Sequence, residues 1–191
     1  MDILGSAAGI LIMLPFLPCI ALAIKMETEG PVFVRLKRVS RGRTFDLYKF
    51  RTMIENAEAM KPALLARNER ADGPFFKMRS DPRITRVGKM LRRFRIDEWP
   101  QFMNALRGDI SLVGPRPYEP KEVAAYPKEY RHLPRAQAGI TGLSQTSGSS
   151  QLSFMKTLEL DDWYLKNRTL ALDMRITLRT ALIAAFDHGA I

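Results

Sequence analysis

Asp97 and Glu98 are adjacent carboxylates set among cations. Arg92, Arg93 and Arg95 precede them, and Arg107 and Arg116 follow, the latter inside a Gly-Pro-Arg-Pro turn. Acids ringed by arginines suit the handling of a phosphate. The run DEWPQFMNAL reads as a short helix with Pro100 in its first turn, where proline is tolerated. Asp97 is then expected at the N-cap with Glu98 just inside the helix. A cap residue lies off the spiral, so both carboxylates can converge on one ligand, and the helix start favours a nearby anion. The same residues read equally as a plain N-cap beside solvated arginines.

Two prolines fix the backbone around Arg116, which is wasteful for a surface charge and sensible for a bidentate phosphate or carboxylate contact. After the turn signal Gly30-Pro31, VFVRL and FDLYKF read as a hairpin whose loop carries Arg38, Arg41, Gly42 and Arg43, a basic tip suited to lipid headgroups. Lys49 and Arg51 close the hairpin and read either as phosphate ligands or as a solvated strand edge. Ile54 to Arg70 is helical in pattern, and Ser80-Asp81 looks like a cap leading into a basic helix, Ile84 to Phe94. In that helix Ile84, Val87, Met90 and Leu91 share a stripe opposite Lys89, Arg92 and Arg93. Ile110 to Val113 reads as a short buried strand, Tyr118 to Arg135 as helix and loop. The run from Gly139 to Gly148 is rich in small residues that let backbone amides approach a ligand, without a P-loop or dinucleotide fingerprint. Leu172 to Phe186 is amphipathic, with Leu172, Ile176, Leu182 and Ile183 opposing Arg175 and Arg179.

The 191 residues suit one domain with a real core. Thirty basic against twenty acidic residues leave a net charge of +10, which implies an anionic partner. One cysteine, Cys19, excludes an intrachain disulfide, and the isolated His132 and His188 offer no zinc-ligand spacing. Ile3 to Ile24 carries no charge and as one helix would reach about 33 Å, enough to cross a bilayer. Asp2 replaces a basic leader and no cleavage motif precedes Lys25, so a signal peptide fits poorly. Pro15 and Pro18 should break or bend the helix near its middle, and such a helix can leave by the face it entered. A kinked span and a buried core helix have the same hydropathy. Almost every cation follows this segment, which puts the body on the cytoplasmic side.

Taken together, the ordered blocks resemble the bacterial sugar transferases, the monotopic phosphoglycosyl transferases. They are the proline-broken apolar segment, GPVFVRLKR, YKFRTM, DPRITRVGKMLRR, DEWPQ with LRGDISLVGPRP, GITGLSQTSG and LDMRITLRTAL. The resemblance implies an α+β, mostly helical fold: a re-entrant membrane helix over residues 1–25, broken at Leu14-Pro15, and a cytoplasmic catalytic domain over 26–191 with a small sheet and interfacial amphipathic helices. No larger amino-terminal membrane bundle is present, so the chain looks like the short form, or the catalytic part of the long form.

The resemblance further implies transfer of a sugar 1-phosphate from a UDP-sugar to polyprenyl phosphate at the bacterial inner membrane. Asp97 matches the family's nucleophile, which attacks the β-phosphate, releases UMP and holds the phosphosugar. Glu98 assists through Mg²⁺ or as a base, with Asp97 and Glu98 as metal ligands. Arg93, Arg116, Lys49 and Arg51 are expected on phosphate, and Gln101, Asn104, Pro115 and Gln145 in support. Expected partners are a UDP-sugar, polyprenyl phosphate and membrane lipids, with a homodimer left open. Trp99 stands where leucine is usual, Ser144 where tryptophan or alanine is common, and Ser149 where arginine is frequent. The last block leans towards glucose or galactose 1-phosphate donors in exopolysaccharide pathways. A nucleic-acid-binding module would need stacking aromatics among the cations or a recognition helix without the uncharged flank, and neither is seen. A non-catalytic membrane scaffold would use Asp97 only as a cap.

Overall fold

The computed structural model describes residues 1–70, 72–148 and 151–186, with side chains as far as Ala184. Ser149 and His188, singled out in the sequence, lie outside the described residues.

The first element is an apolar helix in two parts, α1 (Asp2–Met13) and α2 (Leu17–Glu27), joined by a 3-10 turn at Leu14–Phe16. Pro15 and Pro18 have no N–H to return to the preceding turn, so the helix tightens there. The backbone stays right-handed through the interruption, with φ, ψ of −53°, −47° at Leu14 and −86°, −17° at Phe16. By length and composition, Asp2–Glu27 is long and apolar enough to cross a membrane. One stripe of α1, Ser6, Gly9 and Met13, is buried, while Ile3, Leu4, Leu11 and Ile12 are exposed. Both ends of the pair are fastened to the rest of the chain. The Asp2 carboxylate accepts from Ser111 Oγ at 2.8 Å and from the Leu112 N–H at 3.1 Å. At the other end Glu27 accepts the N–H groups of Arg86 and Val87, at 2.6 and 2.8 Å.

Strands β1 (Phe33–Ser40) and β2 (Arg43–Phe50) form an antiparallel hairpin with a two-residue turn, Arg41-Gly42. Both turn residues have positive φ, 53° and 69°, the conformation that matches the twist of paired strands. Arg38 and Arg43 are therefore on the strands and not in the loop. The turn is fastened down, since the Arg41 and Gly42 N–H groups donate to the carbonyls of Ala136 and Pro134.

Helix α3 (Ala57–Leu64), extended by a 3-10 turn to Arg67, is shorter than its pattern suggested. Helix α4 (Arg86–Arg93) starts later than expected, because Thr85 caps it by accepting the Gly88 N–H at 2.8 Å. Ile84 instead bridges to Met53, and Asp81 forms a buried ion pair with Arg83 at 2.7 Å. Met90 is exposed while Leu91 is buried. There follow α5 (Gln101–Arg107), β3 (Ser111–Val113), α6 (Pro120–Ala124), β4 (Gly139–Thr141), α7 (Leu143–Thr146), α8 (Phe154–Asn167) and α9 (Leu170–Phe186). Strands β3 and β4 pair in parallel, Ser111 with Gly139 and Val113 with Thr141. The chain is thus α+β and mostly helical, with two small two-stranded sheets among the described residues. Phe75, Tyr118, Tyr126 and Phe154 build one core cluster with Leu158, and Met13, Ile24, Phe50 and Leu91 build another against the apolar helix.

Helix α9 departs from its pattern. Leu172 and Ile176 pack with Val113 and Tyr164, but Leu182 faces outward in a four-residue ladder with Leu170, Met174 and Leu178. Period 3.6 allows two apolar stripes on one helix, and a single projection merges them.

Gly88 marks the tightest approach between α4 and the chain after β2: a Cβ there would lie 2.1 Å from the Thr52 carbonyl oxygen and 2.7 Å from its carbon. Backbone cannot yield as a side-chain tip can, so Gly88→Ala should destabilise the fold by about 2–3 kcal/mol. Gly42→Ala meets no atom within 4 Å and should cost only about 1 kcal/mol for its positive φ. Thermal melts of the two variants in detergent check the ranking.

Candidate active site

The segment after α4 does not continue as a helix. Arg95 adopts the left-handed region, φ 55°, and a 3-10 turn over Ile96–Glu98 leads to Pro100, the N-cap of α5. The expectation that Asp97 caps this helix is thus corrected: neither of these turns has a side-chain cap, and the Asp97 carboxylate faces Lys49. A left-handed residue reverses the chain direction, so the two carboxylates leave the helix axis together.

Lys49 Nζ lies 2.8 Å from Glu98 Oε1 and 3.3 Å from Asp97 Oδ2, bridging the pair. Asn104 holds this strand in place. It is 0% exposed, accepts the Tyr48 N–H at 2.9 Å, and donates to the Asp46 carbonyl at 2.8 Å and to Asp109 at 2.9 Å. Behind the pair, Trp99 meets Phe16 edge to face at 6.0 Å, so the carboxylate turn rests on the interruption of the apolar helix.

Burial and charge split the pair. Asp97 is 7% exposed, and burial raises its pKa; Lys49 and Arg92 oppose the rise and the Glu98 charge adds to it. Burial acts upward on Glu98 too, but Lys49 and Arg116 outweigh it and hold that carboxyl down at about 2. Glu98 is therefore the fixed charge and Asp97 the more basic oxygen, as two interacting acids sharing one cation require.

The pair opens on a cavity of about 710 Å³, within the range of small-molecule sites. Its wall carries Lys49, Arg38, Arg92, Arg95 and Arg116. Arg116 is the best aimed of these. The Gly114 N–H donates to the Thr141 carbonyl and the Gly139 N–H to the Pro115 carbonyl, both at 2.8 Å, while the Val39 N–H donates to the Tyr118 carbonyl at 3.0 Å. The backbone is clamped on both sides of Arg116, yet its guanidinium makes no hydrogen bond among the described residues and is exposed into the cavity. Five donors held ready on a fixed backbone fit a phosphate.

The remaining expected residues separate into three groups. Gln145 lines the cavity, while Gln101, Asn104 and Pro115 are buried and off its wall. Arg51 borders the cavity, but its guanidinium donates to the carbonyls of Thr28, at 2.7 Å, and Glu29, and so holds the end of α2. Arg93 is exposed, lies over the Phe94 ring and is not on the cavity wall. Its neighbour Arg92 takes the inward place, bonded to Thr52 Oγ1 at 2.9 Å. Arg38, on the same side of the hairpin as Lys49, was readable from strand alternation: Val34, Leu36 and Arg38 all line the cavity, and Val34 pairs with Lys49. Arg38 meets Glu119 at 3.5 Å and Lys61 meets the same carboxylate at 3.2 Å.

No cluster of three or more His, Cys, Asp or Glu side chains is arranged for a metal among the described residues. The Asp97 and Glu98 carboxylates are the residues that could hold Mg²⁺, an ion that takes one or two carboxylates and completes its shell with phosphate oxygens and water.

The bacterial sugar transferase family profile matches residues 1–187. The chain is 38% identical to an undecaprenyl-phosphate galactose phosphotransferase of Salmonella typhimurium, over 99% of this chain and 40% of that protein. It is 39% identical to a UDP-N-acetylgalactosamine-undecaprenyl-phosphate N-acetylgalactosaminephosphotransferase of Aeromonas hydrophila, over 100% of this chain and 44% of that protein. It is 31% identical to the exopolysaccharide production protein ExoY of Sinorhizobium fredii, over 99% of this chain and 85% of that protein. The chain thus spans less than half the length of the first two relatives and most of the third. Carboxylate pair, clamped arginine and apolar helix all fall within the matched stretch, and the chain belongs to the bacterial sugar transferase family.

Proposed function

We propose that this chain transfers a sugar 1-phosphate from a UDP-sugar to polyprenyl phosphate, in two steps through Asp97. The observation that carries the reading is the Lys49-bridged Asp97–Glu98 pair sharing a cation-lined cavity with Arg116, whose guanidinium makes no hydrogen bond among the described residues. In the first step an Asp97 carboxylate oxygen forms a bond to the β-phosphorus. The bond from that phosphorus to the bridging oxygen breaks, and its electron pair leaves on UMP. In the second step an oxygen of polyprenyl phosphate attacks the same phosphorus and the acyl phosphate bond breaks, returning Asp97 as carboxylate. A carboxylate is a weak nucleophile, so the electrophile must be activated. Arg116, Arg92 and Arg95 would spread the charge of the transferring phosphoryl group. Lys49 favours the ionised form of Asp97 against its burial. Held by Asp97 and Glu98 with diphosphate oxygens, Mg²⁺ would supply further charge neutralisation. The names of the relatives support galactose, N-acetylgalactosamine or glucose as the sugar, and we favour UDP-glucose or UDP-galactose.

A monotopic arrangement at the cytoplasmic face suits these substrates, one soluble and one a lipid. It is supported by the fastening of both ends of the apolar helix. A span would carry Asp2 to the far side of the bilayer, away from the Ser111 and Leu112 groups that it accepts from. The exposed apolar faces of α1 and α9 would meet the lipid.

Two outcomes follow. UMP release with polyprenyl phosphate, measured over a panel of UDP-sugars, should be Mg²⁺-dependent, and Asp97→Asn should lower it by at least about 10³-fold without lowering the melting temperature. Equal loss of activity and stability would make Asp97 a structural residue. In a Cys19→Ser background, cysteines placed at Met1 and Met26 should both react with an impermeant maleimide in inside-out vesicles and in neither case in intact spheroplasts. Labelling of position 1 only from outside would establish a span.

A further inference from the structure

One wall of the cavity holds a polar chain with too few hydrogens. Ser144 Oγ lies 2.7 Å from Asp161 Oδ1 and 3.3 Å from Gln145 Oε1. A hydroxyl has one hydrogen, and both neighbours are acceptors when Asp161 is ionised. All three residues are buried, Asp161 at 2% exposure. Exchanging the Gln145 amide oxygen and nitrogen would also supply the hydrogen, and the burial of Asp161 favours instead that Asp161 is the acid. Its O–H then donates to Ser144 Oγ, the Ser144 O–H donates to Gln145 Oε1, and each contact has its hydrogen. Burial favours that form, pushing Asp161 up to about 7, against the Ser144 hydrogen bond and the Arg116 charge. The other titratable groups facing Asp161 are the phenols of Tyr118 and Tyr126, both raised by burial and so neutral.

The far end of this chain is open. The Gln145 carboxamide nitrogen makes no hydrogen bond among the described residues, and Gln145 lines the cavity together with Ser144 and Thr157. Gly142 leaves room for the carboxamide, since a Cβ there would lie 2.4 Å from Gln145 Oε1 and 2.2 Å from the Gly114 carbonyl oxygen. Arg116 is the link to the reacting pair, because its charge acts on Glu98 and on Asp161 alike. Gln145 and the Asp97–Glu98 pair line the same cavity, so a group carried on the phosphorus at Asp97 would share that space with Gln145.

We propose that Asp161, Ser144 and Gln145 form a hydrogen-bond relay that aims the Gln145 carboxamide nitrogen, as a donor, at an oxygen of the donor's sugar ring. Asp161 and Ser144 are positioning residues, and the assignment rests on the phosphoglycosyl-transfer reading. Loss of the Asp161 proton reverses the relay: Ser144 turns its hydrogen to Asp161, and the Gln145 amide rotates to present its oxygen instead. Donor recognition is then weaker above neutral pH than below it.

The test is KM and kcat for UMP release from the best UDP-sugar between pH 6 and 8.5, with the dissociation constant of UMP from the free protein measured separately. Gln145→Ala should raise KM for the donor about tenfold, the size of one lost neutral hydrogen bond, and leave the UMP dissociation constant within twofold. Wild-type KM should rise several-fold as pH passes 7. Asp161→Asn, whose amide donates to Ser144 at every pH, should keep the low-pH KM and lose the pH dependence, whereas Asp161→Ala should resemble Gln145→Ala. Ser144→Ala, the smallest change, should raise KM in the same way and keeps the test decisive if Asp161→Ala does not fold. If Gln145→Ala weakens UMP as much as the donor, Gln145 reads the nucleotide and the sugar assignment is overturned. A flat wild-type profile, with Asp161→Asn no better than Asp161→Ala, overturns the relay while leaving the transferase reading intact. A wild-type protein that releases no UMP from any UDP-sugar overturns that reading and the relay with it.

Discussion

The Lys49 ammonium between Asp97 and Glu98 is the contact around which the rest of the structure is arranged. Two adjacent buried carboxylates repel and are costly to desolvate, so a shared cation is required if both are to be charged. Lys49 reaches them from β2, which Asn104 ties to α5 through the Tyr48 N–H and the Asp46 carbonyl. The carboxylates reach Lys49 because Arg95 turns the chain out of the α4 helix. Arg116 completes the arrangement on a backbone clamped between β1 and β4, supplying donors that no side chain among the described residues takes up.

This centre is fixed to the apolar helix at two levels. Trp99, next to Glu98, rests on Phe16 at the proline interruption, and Glu27 at the helix end accepts the first N–H groups of α4, whose far end leads to the carboxylates. A shift of the helix in a bilayer would thus move the carboxylate turn with it. Such coupling suits the proposed reaction, whose substrates would approach from water and from lipid, and it sets the 3-10 turn at Leu14–Phe16 against the carboxylate turn.

What was legible in the sequence was largely local chemistry. The carboxylate pair, the stiff Gly-Pro-Arg-Pro turn and the interruption at Leu14-Pro15 are properties of a few consecutive residues. The hairpin was legible too, though its two-residue turn moved Arg38 from the loop to the strand face beside Lys49. The N-cap expectation for Asp97 failed because the left-handed Arg95 has a residue type that does not announce that conformation. Arg93 and Arg92 exchanged roles because one residue rotates a helix position by about 100°, and only the packing of α4 on the strand end chooses between them. Arg51 was drawn off by the carbonyls of Thr28 and Glu29, a contact set by where α2 ends. Asp161 gave no signal, since its meeting with Ser144 depends on the packing of α7 against α8.

In the proposed mechanism Asp97 carries the phosphosugar between the two substrates. The most direct measurement is the intact mass of the protein after brief incubation with UDP-sugar and Mg²⁺, without lipid acceptor, followed by peptide mapping of the trapped species. One hexose-phosphate adduct is expected, on Asp97, formed together with UMP and discharged on adding polyprenyl phosphate. An adduct on another residue, or UMP release that occurs only when both substrates are present, would contradict it.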